Sequence, residues 1–161
     1  MRILRGVDLR DCDVDALIAR RDFVLAIGDG ELSGVTAAAF LSADFAIIAE
    51  NATLQIDTAE VWGAVASRIG RRAFALHLNG AIQLNATAAF DAGLCDAIGD
   101  GSDWLRGRSE VALDVAASLI RSRGGDALER AEFARLFSAG IPQEGLRAFL
   151  EKRRPRFENT V

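Results

Sequence analysis

The sequence predicts an α/β fold, with a strand-rich core over residues 1–99 and a helical region over residues 100–161. Three observations predict it. Residues 23–57, FVLAIGDGELSGVTAAAFLSADFAIIAENATLQID, read as strand, glycine turn, buried helix, strand, turn and strand. Runs rich in Val, Ile, Leu and Phe crowd the first half of the chain, whereas helical periodicity fills the second. The change falls near Gly99-Asp100-Gly101, a break in both patterns.

Taken in order, residues 13–20 form a short helix, and 23–28, 45–49 and 53–56 are strands. Residues 33–43 form a helix of small and apolar side chains that opens at Ser33-Gly34, with Ser33 as its cap. Thr58 starts an amphipathic helix that Gly70 stops, and residues 71–78 form another that ends before Asn79-Gly80. Asn85 caps a helix that Gly93 terminates. Three helices follow, near 103–122, 126–138 and 143–152, punctuated by Gly124-Gly125 and Gly140-Ile141-Pro142.

Composition bounds the function. A chain of 161 residues is one domain's worth of core. Half of its residues are apolar and 26% are charged, an ordinary soluble balance. The net charge of −4 excludes a basic nucleic-acid stripe. The one basic cluster, residues 152–156, reads as a solvated helix end or as a polyanion site. No apolar run is long enough for a bilayer, since Asp44 and Glu50 interrupt the best candidate. Cys12 and Cys95 lack metal-ligand spacing, so no metal site is expected, and they read as reduced thiols of a cytoplasmic protein.

The glycine turn before residues 33–43 matters chemically. A helix N-terminus reached through such a turn presents backbone N–H groups and the positive end of the helix dipole. That suits an anion, or a carbonyl oxygen that becomes one during reaction. His77 lies between Leu76 and Leu78 and reads as packing. Ser33 and Ser42 have no histidine at a spacing that suits a serine triad.

Residues 23–57 resemble the enoyl-CoA hydratase/isomerase (crotonase) family. Its pattern is an apolar strand, Asn-Gly-x-x-x-Gly-Gly, a helix ending in Ala-x-x-Cys-Asp, a second strand and Ala-x-x-Ala-x-Phe. Asp29-Gly30, Gly34, Ala43-Asp44, the strand at 45–50 and Ala52-Thr53-Leu54 fall on it without a gap. LNATAAFDAGLCDAI at 84–98 looks like the family's Ile-Ser-Ala-x-x-Ala-x-x-x-Gly-Leu-Val-Asp-x-Val block. EGLRAFLEKRRPRF at 144–157 is similar to its C-terminal Glu-Gly-x-x-Ala-Phe-x-Glu-Lys-Arg-x-Pro-x-Phe. Gly6-Val7-Asp8-Leu9-Arg10 is a shorter match to Gly-Ala-Asp-Leu-Lys.

The resemblance implies a crotonase-like (ClpP/crotonase) ββα spiral core, shortened at its N-terminus because the Gly-Ala-Asp-Leu-like turn comes at residue 6, with a helical C-terminal trimerisation region. It places the two backbone oxyanion donors on Val7 and Val35, although Val35 also reads as core packing. The family's catalytic glutamates fall on Ala38 and Thr58, neither of which can move a proton, leaving Asp57 or Glu60 as a non-standard base. Asp57, Thr58 and Glu60 also have ordinary structural readings as strand end, N-cap and first-turn acid. The family's glycine loop beyond Thr58 is missing, and Trp62 reads either as filling that volume or as core. In the family an aromatic and a lysine of the last helix touch the CoA of the adjacent subunit, and those positions are Phe149 and Lys152.

The implied function is an acyl-CoA-binding or acyl-CoA-transforming protein, a lyase or isomerase of fatty acid metabolism. The rival is a silent homologue serving as a structural or partner-binding subunit. CoA enters as substrate or ligand and no other cofactor is implied. The expected assembly is a homotrimer or higher oligomer, or one that includes a full-length crotonase partner covering the sheet edge, without nucleic acid or membrane.

Overall fold

The computed structural model describes residues 1–20, 22–80, 82–122 and 125–157; of the sequence-predicted breaks, Gly124 lies outside them. By contacts the chain divides into two units. One holds residues 2–20 and 24–101, the other Met1, residues 21–23 and residues 102–161.

The first unit carries β1 (Arg2–Arg5), α1 (Val7–Arg10), α2 (Val14–Ala19), β2 (Val24–Gly28), β3 (Glu31–Leu32), α3 (Gly34–Leu41), β4 (Phe45–Ile48) and β5 (Thr53–Gln55). It continues with α4 (Ala59–Ile69), α5 (Arg72–Leu78), β6 (Gln83–Asn85), α6 (Ala86–Ala92) and β7 (Ala97–Ile98). A four-stranded sheet runs β1-β2-β4-β7, parallel throughout, and a three-stranded sheet runs β3-β5-β6. In the smaller sheet β3 and β5 are parallel, and β5 and β6 antiparallel.

Burial explains the sequence of these elements. Every residue of β2 is buried, as a central parallel strand covered on both faces requires. The helix α3 is apolar around most of its circumference, and Ala37, Ala38, Ala39, Phe40 and Leu41 are all buried. Its small side chains let α1, α2 and α4 approach it closely. Asp44 fixes the start of β2 by accepting the Val24 N–H at 2.7 Å, and Asp96 accepts the Ala46 N–H of β4 at 2.8 Å.

Several elements depart from the sequence-based reading. β1, β3, β6 and β7 are strands that the sequence pattern does not announce. Ser33 precedes α3 in extended backbone but makes no side-chain cap; its carbonyl accepts the Thr36 and Ala37 N–H groups instead. Thr58 and Asn85 do cap, accepting the Val61 and Ala88 N–H groups at 3.3 and 2.8 Å.

Gly101 ends this unit at φ +70°. An added Cβ there would stand 2.6 Å from Ile27 Cδ1 and 3.2 Å from Ile47 Cδ1. Gly101→Ala is therefore expected to cost about 1–3 kcal/mol, from left-handed strain and overpacking together. Urea titration followed by circular dichroism checks this, and an unchanged midpoint would contradict it.

The second unit carries α7 (Glu110–Ser122), α8 (Asp126–Ser138) and α9 (Ile141–Leu150), packed α7 on α8 and α8 on α9. The first of these helices starts later than residue 103. Residues 103–107 make turns, and buried Ser109 then accepts the Ala112 N–H at 3.3 Å to open α7. Asp114 of α7 accepts the Phe23 N–H at 2.7 Å, and Arg121 donates to the Asp22 carbonyl at 2.9 Å. The Phe23 ring stacks on Trp104 at 5.8 Å, and the Arg108 guanidinium lies 4.4 Å from the same indole.

Candidate functional site

Two neighbouring parallel strands, β1 and β2, lead from their C-terminal ends into the segments that the sequence singles out. Open α/β sheets bind ligands at that edge. Gly6, at φ +48°, turns β1 into α1, whose first residue is Val7. Beyond β2 the chain passes β3 and Ser33, and Gly34 at φ +51° starts α3, whose second residue is Val35. Each valine amide lies in the first turn of a helix and so lacks an intrahelical acceptor. The two helices pack on one another. Val7 is 66% exposed and Val35 41%, so Val35 does not pack in the core.

The parallel pairing of β3 with β5 determines what else arrives there. Glu31 pairs with Thr53 and Leu32 with Leu54, so both strands end side by side. The chain after Leu32 enters α3, and the chain after Leu54 reaches Asp57. The Gly34 N–H donates to Asp57 Oδ1 at 3.4 Å, which places a carboxylate at the α3 N-terminus beside the Val35 amide. The next residue, Thr58, caps α4.

The remaining candidates lie elsewhere. Glu60 is exposed in the first turn of α4. Ala38 is fully buried inside the core cluster. Trp62 is partly buried against that cluster and meets His77 edge-on at 4.8 Å. Among the described residues no hydrogen bond joins His77 to Ser33 or Ser42 and no cluster of metal-ligating side chains forms. Burial pushes the Cys95 thiol up to about 11, and burial also raises Cys12, so neither supplies a thiolate near neutrality.

In the second unit, Phe149 of α9 is 79% exposed. Lys152 follows that helix with φ +51°, exposed. The sequence reading did not identify what fixes this turn. Glu144 accepts a bidentate pair from Arg153 at 2.7 and 3.2 Å and the Arg156 N–H at 2.7 Å.

No protein-family model matches the sequence, and no curated protein does. Solved structures do match. An enoyl-CoA hydratase from Polaromonas sp. JS666 is 25% identical with a TM-score of 0.67, over 90% of this chain and 66% of that one. An enoyl-CoA hydratase/carnithine racemase from Magnetospirillum magneticum is 18% identical with a TM-score of 0.69, over 96% and 66%. An enoyl-CoA hydratase/isomerase from Marinobacter aquaeolei is 24% identical with a TM-score of 0.61, over 89% and 63%. The chain thus spans just under two thirds of the length of these structures, and over that span it has the crotonase fold of the enoyl-CoA hydratase/isomerase proteins.

Proposed function

We propose that this protein binds acyl-CoA thioesters, with the thioester oxygen at the Val7 and Val35 amides and Asp57 as the single acid–base group. The observation that carries this reading is the Asp57 carboxylate at the α3 N-terminus, on the Gly34 N–H. A carboxylate there has a consistent role. When Asp57 takes a proton from the carbon next to the carbonyl, negative charge leaves the carboxylate and appears on the enolate oxygen. The same helix N-terminus stabilises both charge positions. One carboxylate can remove a proton and return it, which is the chemistry of a double-bond isomerase.

Asp57→Asn is expected to keep acyl-CoA binding and to slow proton exchange at that carbon by about a hundredfold or more. Calorimetric titration with a short-chain acyl-CoA, followed by mass spectrometry of deuterium uptake from solvent, measures both. Wild-type protein that neither binds nor exchanges would overturn the reading.

A second reading has its own support. Ala38 is buried and carries no carboxyl group, and Thr58 is engaged as the α4 cap. A folded protein that binds no acyl-CoA would thus be a silent crotonase homologue, acting as a structural or partner-binding subunit beside a full-length chain. Under either reading the assembly is a homotrimer or higher oligomer in the cytoplasm, supported by the exposed Leu146, Phe149 and Leu150 of α9. Phe149 and Lys152 then serve the CoA of a neighbouring copy. Sedimentation velocity tests the assembly.

A further inference from the structure

The register of the three-stranded sheet sorts its side chains onto two faces. Glu31 of β3 pairs with Thr53 of β5, and Thr53 with Asn85 of β6. Two residues further along, Gln55 of β5 pairs with Gln83 of β6. Paired residues point to the same side of a sheet and successive ones to opposite sides. These polar residues therefore share one face. Leu32, Leu54 and Leu84 share the other, where Leu32 and Leu54 belong to the core cluster and Leu84 packs against it. Apolar burial holds the inner face, and polar bonds hold the outer one.

On the outer face the Gln55 Nε2–H donates to Glu31 Oε1 at 2.8 Å. The bond runs diagonally, because Glu31 stands opposite Thr53 and Gln55 lies two residues beyond it. A carboxylate acceptor makes it charge-assisted, and so stronger than a bond between neutral groups. The ladder of β3 with β5 has two residue pairs, and the Thr53 N–H adds a bond to the Gly30 carbonyl at 2.8 Å. In so short a ladder one side-chain bond is a large part of what fixes the two segments against each other. Those segments form the candidate site, since Gly34 follows Glu31 by three residues and Asp57 follows Gln55 by two. The Gly34 N–H reaches Asp57 Oδ1 at 3.4 Å, which is long for such a bond, so a small displacement of either segment breaks it.

We infer that Glu31 and Gln55 are positioning residues: their hydrogen bond clamps β3 to β5 and thereby holds the Asp57 carboxylate on the α3 N-terminus. For its catalytic consequence the inference rests on the acyl-CoA reading, while the clamp itself acts on Asp57 whether or not a thioester binds. Both side chains act through Asp57, so their loss slows proton transfer and leaves thioester affinity alone.

Hydrogen exchange of the Gly34 amide, followed by nuclear magnetic resonance, reads the clamp without any ligand. Glu31→Ala and Gln55→Ala are each expected to speed it about fivefold, the effect of roughly one ordinary hydrogen bond. The double variant is expected to go no further, because both changes remove the same bond. Glu31→Gln keeps an acceptor in place and is expected to stay within about twofold of wild type. Deuterium uptake by a short-chain acyl-CoA is expected to fall about fivefold in both alanine variants, with the calorimetric affinity held. Wild-type Gly34 exchange in either alanine variant, or additive effects in the double variant, overturns the inference. Undiminished uptake, or a loss of affinity that matches the loss of uptake, overturns it as well. Wild-type protein that takes up no deuterium, with Gly34 exchange accelerated in both alanine variants, would instead overturn the acyl-CoA reading alone and leave the clamp standing.

Discussion

Ala38→Glu is expected to destabilise the protein by about 3–5 kcal/mol and to confer no hydratase activity. Ala38 is 0% exposed, on a helix whose neighbouring positions Ala37, Ala39, Phe40 and Leu41 are also buried. A carboxylate placed there leaves water without a hydrogen-bond partner, and its extra atoms enter a core that is already closed around α3. Such a group stays protonated in the folded state, so its folded pKa lies above its unfolded one. The ionisation-linked part of the penalty is absent below the unfolded pKa and grows as pH rises past it, which makes the variant less stable at pH 8 than at pH 5. Thr58→Glu behaves differently. Thr58 is exposed, and the loss of its cap costs about 1 kcal/mol, partly offset by a new charge at the α4 N-terminus. Urea titrations at both pH values, with an enoyl-CoA hydration assay of the double variant, check these expectations. Hydration gained at undiminished stability would show that α3 faces an open acyl pocket at Ala38, and would return the two-carboxylate mechanism to consideration.

The parts of this fold that the sequence made legible are those with enough residues to show a pattern. β2 and β4 are continuous apolar runs, and α3 is a block of small apolar residues between them, so strand, helix and strand were readable in order. Thr58, Asn85 and Gly93 marked helix ends because capping needs those side chains or that backbone freedom. β3 and β7 have two residues each and β6 has three, too few for alternation to be seen. β1 reads RILR, where flanking arginines mask a strand whose Leu4 is buried. The candidate site followed the same division. Val7 and Val35 were reachable by motif, because their position along the chain defines them. The bond from the Gly34 N–H to Asp57 depends on the register of β3 against β5, a pairing between two short strands that local sequence does not encode. Glu144 was hidden for a related reason, since its partner Arg153 lies nine residues on, across a left-handed turn that breaks helical periodicity.

Arg68→Ala is expected to cost about 3–4 kcal/mol and to lower the urea midpoint with an unchanged slope. Arg68 sits in the last turn of α4 with its side chain only 10% exposed. Its Nη1 donates to the carbonyls of Leu41 and Ala43, at 3.1 and 3.0 Å, where α3 ends. The Leu41 carbonyl is one that a helix end leaves without an intrahelical donor, and Ala43 follows the Ser42 cap. Its Nη2 pairs with Asp96, whose Oδ2 also receives the Ala46 N–H of β4. One side chain thus ties the end of α3 to the segment that leads into β7. Truncation leaves two carbonyls short of a donor at about 1 kcal/mol or more each, opens a void, and removes the cation from Asp96. Asp96 is about one third exposed and rehydrates, and the buried Arg68 Nε–H has no partner among the described residues, so both trim the loss. Arg68→Lys should recover less than half of it, because an ammonium cannot reach two carbonyls and a carboxylate as a planar fork does. A loss below about 1 kcal/mol for Arg68→Ala would mean that water satisfies the α3 carbonyls unaided. The hold on α3, and with it the position of the Val35 amide, would then rest on apolar packing against α1, α2 and α4.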